Sequence, residues 1–171
     1  MALETLSNIS FLDLSVNQIQ KLNEIPKSLK LVTLILSHNN FSLIQNLSNC
    51  PNLITLDLSY NKFESFPIDI LAMKYIKYLN ISFNSMNQIP LEISKLEILE
   101  KLKIEGNPLK NMHIPSSIKN GKTENILKYF WKQALEPRSY RMPIEEPRYE
   151  ERKALKCSEN LPKKELNNFI K

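Results

Sequence analysis

One pattern occurs five times along the chain: an aliphatic residue, a second three positions later, a third two positions after that, then Asn, then an apolar residue. The copies begin at Ile9, Leu31, Leu53, Ile76 and Leu99, so successive starts are 22 or 23 residues apart. A fixed period of this length indicates a solenoid in which each repeat forms one coil. Five copies exceed the roughly three that such an array needs to bury a continuous core.

The pattern and its period resemble the leucine-rich repeat, which supplies one strand per coil of a curved solenoid. The resemblance implies an α/β solenoid of five repeats of 22–23 residues, with a parallel sheet on its concave side. We expect the strand of each coil around the third and fourth consensus residues, such as Leu14 and Asn17. Because side chains alternate along a strand, consensus aliphatics point inward and the residues between them face the concave surface.

The recurring Asn, for example Asn61, is predicted to be structural. The chain turns after each strand, and an inward amide can bond backbone groups of neighbouring coils that water does not reach. On the opposite side, Pro67 and Pro90 favour an extended convex segment in the third and fourth repeats.

The sequence predicts three segments. Residues 1–121 form the solenoid, residues 122–136 a carboxyl-terminal capping helix, and residues 137–171 a flexible or partner-ordered charged tail. The tail is rich in charge and interrupted by proline, so it buries too little apolar surface to fold alone. Short helices are expected within it at 147–156 and 162–170.

The sequence also makes separate predictions for the two ends of the repeat array. Leu3 and Leu6 match the convex half of a repeat whose strand is missing, which indicates either a truncated product or an edge covered by a partner. At the other end, Thr123 is the expected N-cap of the last helix, and Phe130 and Trp131 are expected to close the core. A membrane-surface helix is the less favoured interpretation of the same apolar stripe.

The closure of the array is similar to that of intracellular leucine-rich repeat proteins, namely the Ras-group and Scribble-like families. The residues that carry this resemblance are Gly106 to Leu109, Pro115, Gly121, Thr123, Ile126, Leu127 and Tyr129. The resemblance covers roughly residues 3–135. It implies a scaffold or regulator in signal transduction.

Several features predict a cytoplasmic protein. Cys50 and Cys157 are too few for the cysteine-rich caps of extracellular repeats, which favours a reducing compartment. The chain has no apolar run of about 18 residues and does not begin like a secretory signal, so no membrane insertion is expected. The Asn-X-Ser triplets at Asn8, Asn46 and Asn80 are interpreted as accidental.

Catalysis, cofactor binding and metal binding are not expected. Two glycines are too few for a phosphate-binding loop, and His38 and His113 are far apart in the sequence. Ser37, His38 and Asp57 could be drawn as a catalytic trio, but serine recurs in the same slot of four repeats, which indicates architecture. The net charge of +5 comes from scattered lysines, so neither a nucleic-acid partner nor a small-molecule substrate is predicted.

The concave face departs from repetition and is the candidate site. Its predicted partner-binding residues are Phe11, Asp13, Ile35, His38, Asp57, Tyr60, Tyr78, Asn80, Phe83, Lys101 and Lys103. Tyr60, Tyr78 and Phe83 are expected to cluster as aromatic side chains do in protein–protein hot spots. The alternative is that these rings only pack against one another across the sheet.

The sequence therefore predicts a non-catalytic module that binds another protein on its concave face. The acidic residues of the early repeats and the lysines of the last repeat give this face a charge gradient that can orient a polar partner. Two alternatives remain open: a structural component of a cytoskeletal or ciliary assembly, and a regulatory arm of an enzyme whose catalytic domain lies elsewhere.

Overall fold

A five-stranded parallel sheet forms one side of the molecule in a computed structural model that describes residues 8–22, 25 and 30–135. The strands have three residues each and lie side by side in chain order. Their bounds are β1 Phe11–Asp13, β2 Thr33–Ile35, β3 Thr55–Asp57, β4 Tyr78–Asn80 and β5 Lys101–Lys103. Each repeat contributes one strand, as expected for the repeat solenoid that the 22- or 23-residue period predicted.

The second consensus aliphatic of each repeat belongs to one continuous column, which is half-buried at Leu12 and buried in the other four coils. Leu12, Leu34, Leu56, Leu79 and Leu102 are Cα partners across successive strand pairs. The three central leucines are each 1% exposed, which confirms the predicted inward direction of the consensus residues. Burial of each such side chain stabilises the fold by roughly 1.5–3 kcal/mol, so this column supplies much of the stability.

The strands begin earlier in each repeat than predicted. They centre on the second consensus residue, such as Leu56, and not on the third and fourth, such as Leu58 and Asn61. The third consensus residue and the Asn lie in the turn that follows the strand. Backbone hydrogen bonds between coils continue through this turn, and the Asn side chain adds bonds to carbonyls of its own and the preceding coil.

The Asn side chains join neighbouring coils, as the sequence predicted. The Nδ2 of Asn61 donates to Leu36 O at 3.0 Å in the preceding coil and to Leu58 O at 3.1 Å in its own coil. Its Oδ1 accepts the Phe41 N–H at 3.0 Å. The same arrangement recurs at Asn39, Asn84 and Asn107.

The convex side carries short 3₁₀ helices. They span Leu47–Asn49, Ile68–Ala72 and Leu91–Lys95. Pro67 and Pro90 precede the last two in extended conformation, with φ values of −67° and −64°. The extended proline segments were therefore predicted correctly, and the 3₁₀ turns that follow them fit the expectation of extended or short helical segments on this side. Each turn buries one Ile, at Ile70 and Ile93.

Two helices follow the last strand: α1 at Ser116–Lys119 and α2 at Thr123–Leu135. Ile126 and Phe130 of α2 are buried and belong to the same core cluster as the leucine column. Trp131 is 52% exposed, so the expectation that it closes the core is wrong. It follows Phe130 directly on the helix, and a rotation of about 100° per residue carries it away from the buried face.

Thr123 has a different role from the predicted N-cap. The N–H groups of Asn125 and Ile126 bond to Lys122 O, so the helix begins one residue earlier in hydrogen-bonding terms. The Thr123 hydroxyl instead accepts the Leu102 N–H at 2.9 Å. The side chain thereby satisfies an amide on the outer edge of β5.

Some expectations concern residues outside the part of the chain that the structure describes. These are the half-repeat at Leu3 and Leu6, the cysteine at Cys157, and the charged tail at 137–171 with its two expected helices.

Candidate functional site

The concave face consists of three columns that run across the strands. The first two contain the outward residues of each strand, because alternation turns them away from the buried leucines. The third contains the residue that precedes each Asn. The columns, in order, are Phe11, Thr33, Thr55, Tyr78 and Lys101; Asp13, Ile35, Asp57, Asn80 and Lys103; and Val16, His38, Tyr60, Phe83 and Gly106.

Every residue of the third column has a left-handed backbone. The φ values are 54° at Val16, His38 and Tyr60, 53° at Phe83 and 73° at Gly106. The tight turn between the strand and the Asn imposes this conformation in each coil. It costs roughly 1–2 kcal/mol for a residue with a Cβ atom, and glycine adopts it freely. Four repeats therefore carry a side chain where glycine would be less strained.

Three rings of the third column form a continuous stack. The ring centroids of His38 and Tyr60 are 4.1 Å apart, those of Tyr60 and Phe83 are 4.4 Å apart, and both pairs lie within 10° of parallel. Tyr60 remains 44% exposed and Phe83 43% exposed. The stack is thus neither core nor isolated: its faces contact one another while its edges meet solvent.

Gly106 gives the stack room at its carboxyl-terminal end. A Cβ atom at this position would lie 2.5 Å from Phe83 Cδ1 and 2.9 Å from Phe83 Cγ. The Phe83 ring therefore leans over the Gly106 backbone. Any other residue would displace the ring as well as strain a backbone with φ of +73°.

Polar residues of the second column are tied to the turns beneath them. Asp57 Oδ1 accepts from the Ser59 N–H at 2.9 Å and from the Ser59 hydroxyl at 2.6 Å, and Asn80 Nδ2 donates to Asp57 Oδ2 at 3.1 Å. In the first repeat, hydrogen bonds from Ser15 lower the pKa of Asp13. These carboxylates therefore hold the turns and also give the face negative charge.

An ion pair lies beside the first column. Glu100 Oε1 accepts from Lys77 Nζ at 2.8 Å, and Glu100 Oε2 accepts from the Tyr78 hydroxyl at 3.0 Å. The hydrogen bond from Lys77, followed by that from Tyr78, lowers the pKa of Glu100. The hydrogen bond to Glu100 and its negative charge raise the pKa of Lys77 and the pKa of Tyr78.

The structure separates the predicted site residues into distinct groups. Tyr60 and Phe83 meet as expected, but their third ring is that of His38, while Tyr78 bonds to Glu100. Lys101 and Lys103 extend from β5 as exposed side chains. Sequence reasoning missed Glu100, which lies outside the columns and could be identified only from its partners. It expected Tyr60 and Phe83 to cluster but did not predict that His38 would be the third ring of the stack.

The described residues were also compared with the requirements of a metal site and of a membrane-spanning helix. Within residues 8–22, 25 and 30–135, no group of three or more His, Cys, Asp or Glu side chains is arranged to hold a metal ion. None of the helices in that same part of the chain combines the length and apolarity needed to cross a bilayer.

Comparison with known proteins identifies the repeat. Residues 51–109 match the family model described as leucine rich repeat. The functional domain of InlJ from Listeria monocytogenes aligns with a TM-score of 0.54 and 26% identity, covering 60% of this chain and 22% of that one. A chain of the BIR3–SERK2 complex from Arabidopsis thaliana aligns with a TM-score of 0.48 and 38% identity, covering 56% of this chain and 55% of that one.

The chain thus spans well under two thirds of the length of either solved protein. No curated protein sequence gave a match. The family match over residues 51–109, together with the coil geometry that continues from β1 to β5, supports a leucine-rich repeat protein.

Proposed function

We propose that this chain is a non-catalytic protein-interaction module whose concave face binds another protein. The observation that carries the proposal is the stack of His38, Tyr60 and Phe83, which is exposed just beyond the carboxyl ends of β2, β3 and β4. Aromatic side chains surrounded by mixed polar groups are typical of interface hot spots.

The backbone beneath the stack strengthens the argument. Tyr60 and Phe83 occupy left-handed positions where glycine or asparagine would fold with less strain. Their rings are over 40% exposed, so they add little to the core. Stacking recovers about 0.5–1.5 kcal/mol per pair, which is of the same size as the strain and leaves no large gain in stability. A binding role accounts for aromatic residues at positions where the fold gains little from them.

The finer parts of the proposal come from the sequence. We propose a signalling scaffold or regulator in the cytoplasm, from the Ras-group and Scribble-like resemblance of the closure. We also propose α2 as a carboxyl-terminal cap, because Ile126 and Phe130 are buried and Thr123 bonds to the edge of β5. The division into 1–121, 122–136 and 137–171 belongs to the same proposal.

The experiment uses the full chain as bait in native lysate, identifies captured proteins by mass spectrometry, and then measures the purified partner by calorimetry. Tyr60→Ala combined with Phe83→Ala should abolish binding. A matched control combines Tyr75→Ala with Ile68→Ala, which removes one exposed ring and one exposed aliphatic side chain outside the concave columns. Loss of binding in the control alone would place the binding surface elsewhere and contradict the proposal.

A further inference from the structure

We propose that the concave face takes an extended acidic segment of its protein partner, with carboxylates on Lys101 and Lys103 and an apolar side chain against the ring stack. This inference rests on the proposed function and specifies the chemistry of the partner. It follows from the unequal distribution, across the face, of the charged side chains that remain available to a partner.

Lys101 and Lys103 are the available cations. They are the two outward residues of β5, so their side chains leave the same side of the sheet. Both are exposed, and among the described residues neither ammonium group has a hydrogen bond or an ion pair. Two free like charges on adjacent columns repel each other unless an anion lies between or beside them.

The neighbouring carboxylate does not neutralise these lysines. Glu100 precedes Lys101 in the sequence, but its two oxygens are taken by Lys77 and by the Tyr78 hydroxyl. The ion pair with Lys77 thus leaves Glu100 without a free oxygen to neutralise Lys101 or Lys103. Asp57, two strands away, is engaged by Ser59 and Asn80.

A cleft of about 630 Å³ continues from β5 towards the start of α2. Its charged lining adds Lys122 to the two lysines of β5, and it also contains Glu105 and Glu124. Glu100 lines the cleft as well, and Lys77 balances its charge from outside the lining, so the three lysines face the two remaining glutamates with a net charge of +1. Glu124 lies in the first turn of α2, where the helix dipole stabilises its negative charge.

The spacing sets the register of the partner segment. Neighbouring strands are about 4.8 Å apart, so the path from the coil of Tyr60 to that of Lys103 crosses two steps, or roughly 10 Å. An extended peptide advances about 3.3 Å per residue and turns every second side chain to the same face, so an acidic residue should lie two or four positions from the apolar anchor. The partner segment would run across the strands, parallel to the ring stack.

The test presents a display library of random nine-residue peptides to the full chain and sequences those retained. We expect enrichment of Asp or Glu two or four positions from an aromatic or aliphatic residue. For a peptide from that set, Lys101→Glu combined with Lys103→Glu should weaken binding by about tenfold or more, and panning against this variant should enrich Lys or Arg instead. The matched control combines Lys74→Glu with Lys95→Glu, which makes the same charge change at exposed lysines outside the columns.

The outcomes separate this inference from the proposed function. If Tyr60→Ala with Phe83→Ala abolishes binding while the β5 charge reversal does not, the face binds a partner but the acidic segment is wrong. If binding survives both changes, the proposed function fails as well. Enrichment without acidic residues, no enrichment at all, or equal loss in the control variant would each overturn the inference. Retention of RNA or anionic vesicles in place of acidic peptides would overturn it too.

Discussion

Tyr60 and Asn61 are consecutive in the sequence but belong to two regions with opposite properties. Asn61 is buried and bonds to backbone groups of two coils, and its equivalents in neighbouring coils are also Asn. Tyr60 is exposed, and its equivalents are Val16, His38, Phe83 and Gly106. The turn imposes one conformation on each column, but it demands one residue type only in the buried column.

The difference separates what the fold requires from what it tolerates. In the buried column, any side chain without both an amide donor and an acceptor leaves backbone groups without partners. In the exposed column, the left-handed backbone disfavours side chains in general and selects none in particular. The identity of the exposed residues is therefore open to selection by a partner, and the predictions below test this division.

The largest effect is expected at the buried column. Asn61→Ala removes the partner of the Phe41 N–H and the donor to three carbonyls, so it should lower the free energy of unfolding by about 3 kcal/mol. Asn17→Ala is the matched control, since Asn17 is exposed and its side chain bonds, among the described residues, to Leu14 O and Ser15 O of its own turn. Urea denaturation should show a loss of about 1 kcal/mol or less for the control. Equal losses would mean that bonds between coils do not matter.

A smaller effect on the free energy of unfolding is expected at Gly106, the one residue of the exposed column without a side chain. Gly106→Ala should lower the free energy of unfolding by about 1–2 kcal/mol, from backbone strain and from displacement of the Phe83 ring. In a Phe83→Ala background the same change should cost less, because the ring is gone and only the strain remains. A double-mutant cycle by thermal denaturation measures the difference. An identical cost in both backgrounds would show that the ring does not lean on Gly106.

The smallest effect is expected from the ion pair at the margin of the face. The pKa of Glu100 is lowered, so its pairing with Lys77 stabilises the fold above pH 4.5 and is lost as the pH falls below that value. The raised pKa of Lys77 means that its contribution is present below pH 10.5 and is lost above it. Glu100→Gln should therefore flatten the dependence of melting temperature on pH below 4.5, whereas Glu97→Gln, at another exposed position, should not. The pair is exposed, so the change should be slight.

The sequence was sufficient to predict the repeated part of the fold. The period, the inward leucines and the bonding role of Asn61 follow from repetition, because a residue type kept in every coil reports a requirement of every coil. The strand position was wrong by about two residues, since the pattern marks which side chains are buried but not where the backbone leaves the sheet.

The candidate site was less predictable because it depends on geometry that repetition does not encode. Tyr78 and Tyr60 are both aromatic and both outward, yet one bonds to Glu100 and the other stacks on His38. Their directions depend on the backbone conformation and on rotamers set by neighbours in other coils. Trp131 was misplaced for a similar reason, as the rotation of α2 about its axis decides which of two adjacent aromatic residues is buried.

The central claim is that the exposed rings serve recognition and not folding. The most direct measurement compares two quantities on the Tyr60→Gly, Phe83→Gly double variant: its free energy of unfolding, and its affinity for the purified partner. We predict that binding is lost while the free energy of unfolding falls by about 1 kcal/mol or less, since glycine removes both the stacking and the left-handed backbone strain, which are similar in size. A loss of stability as large as that of Asn61→Ala, or unchanged affinity, would contradict the account.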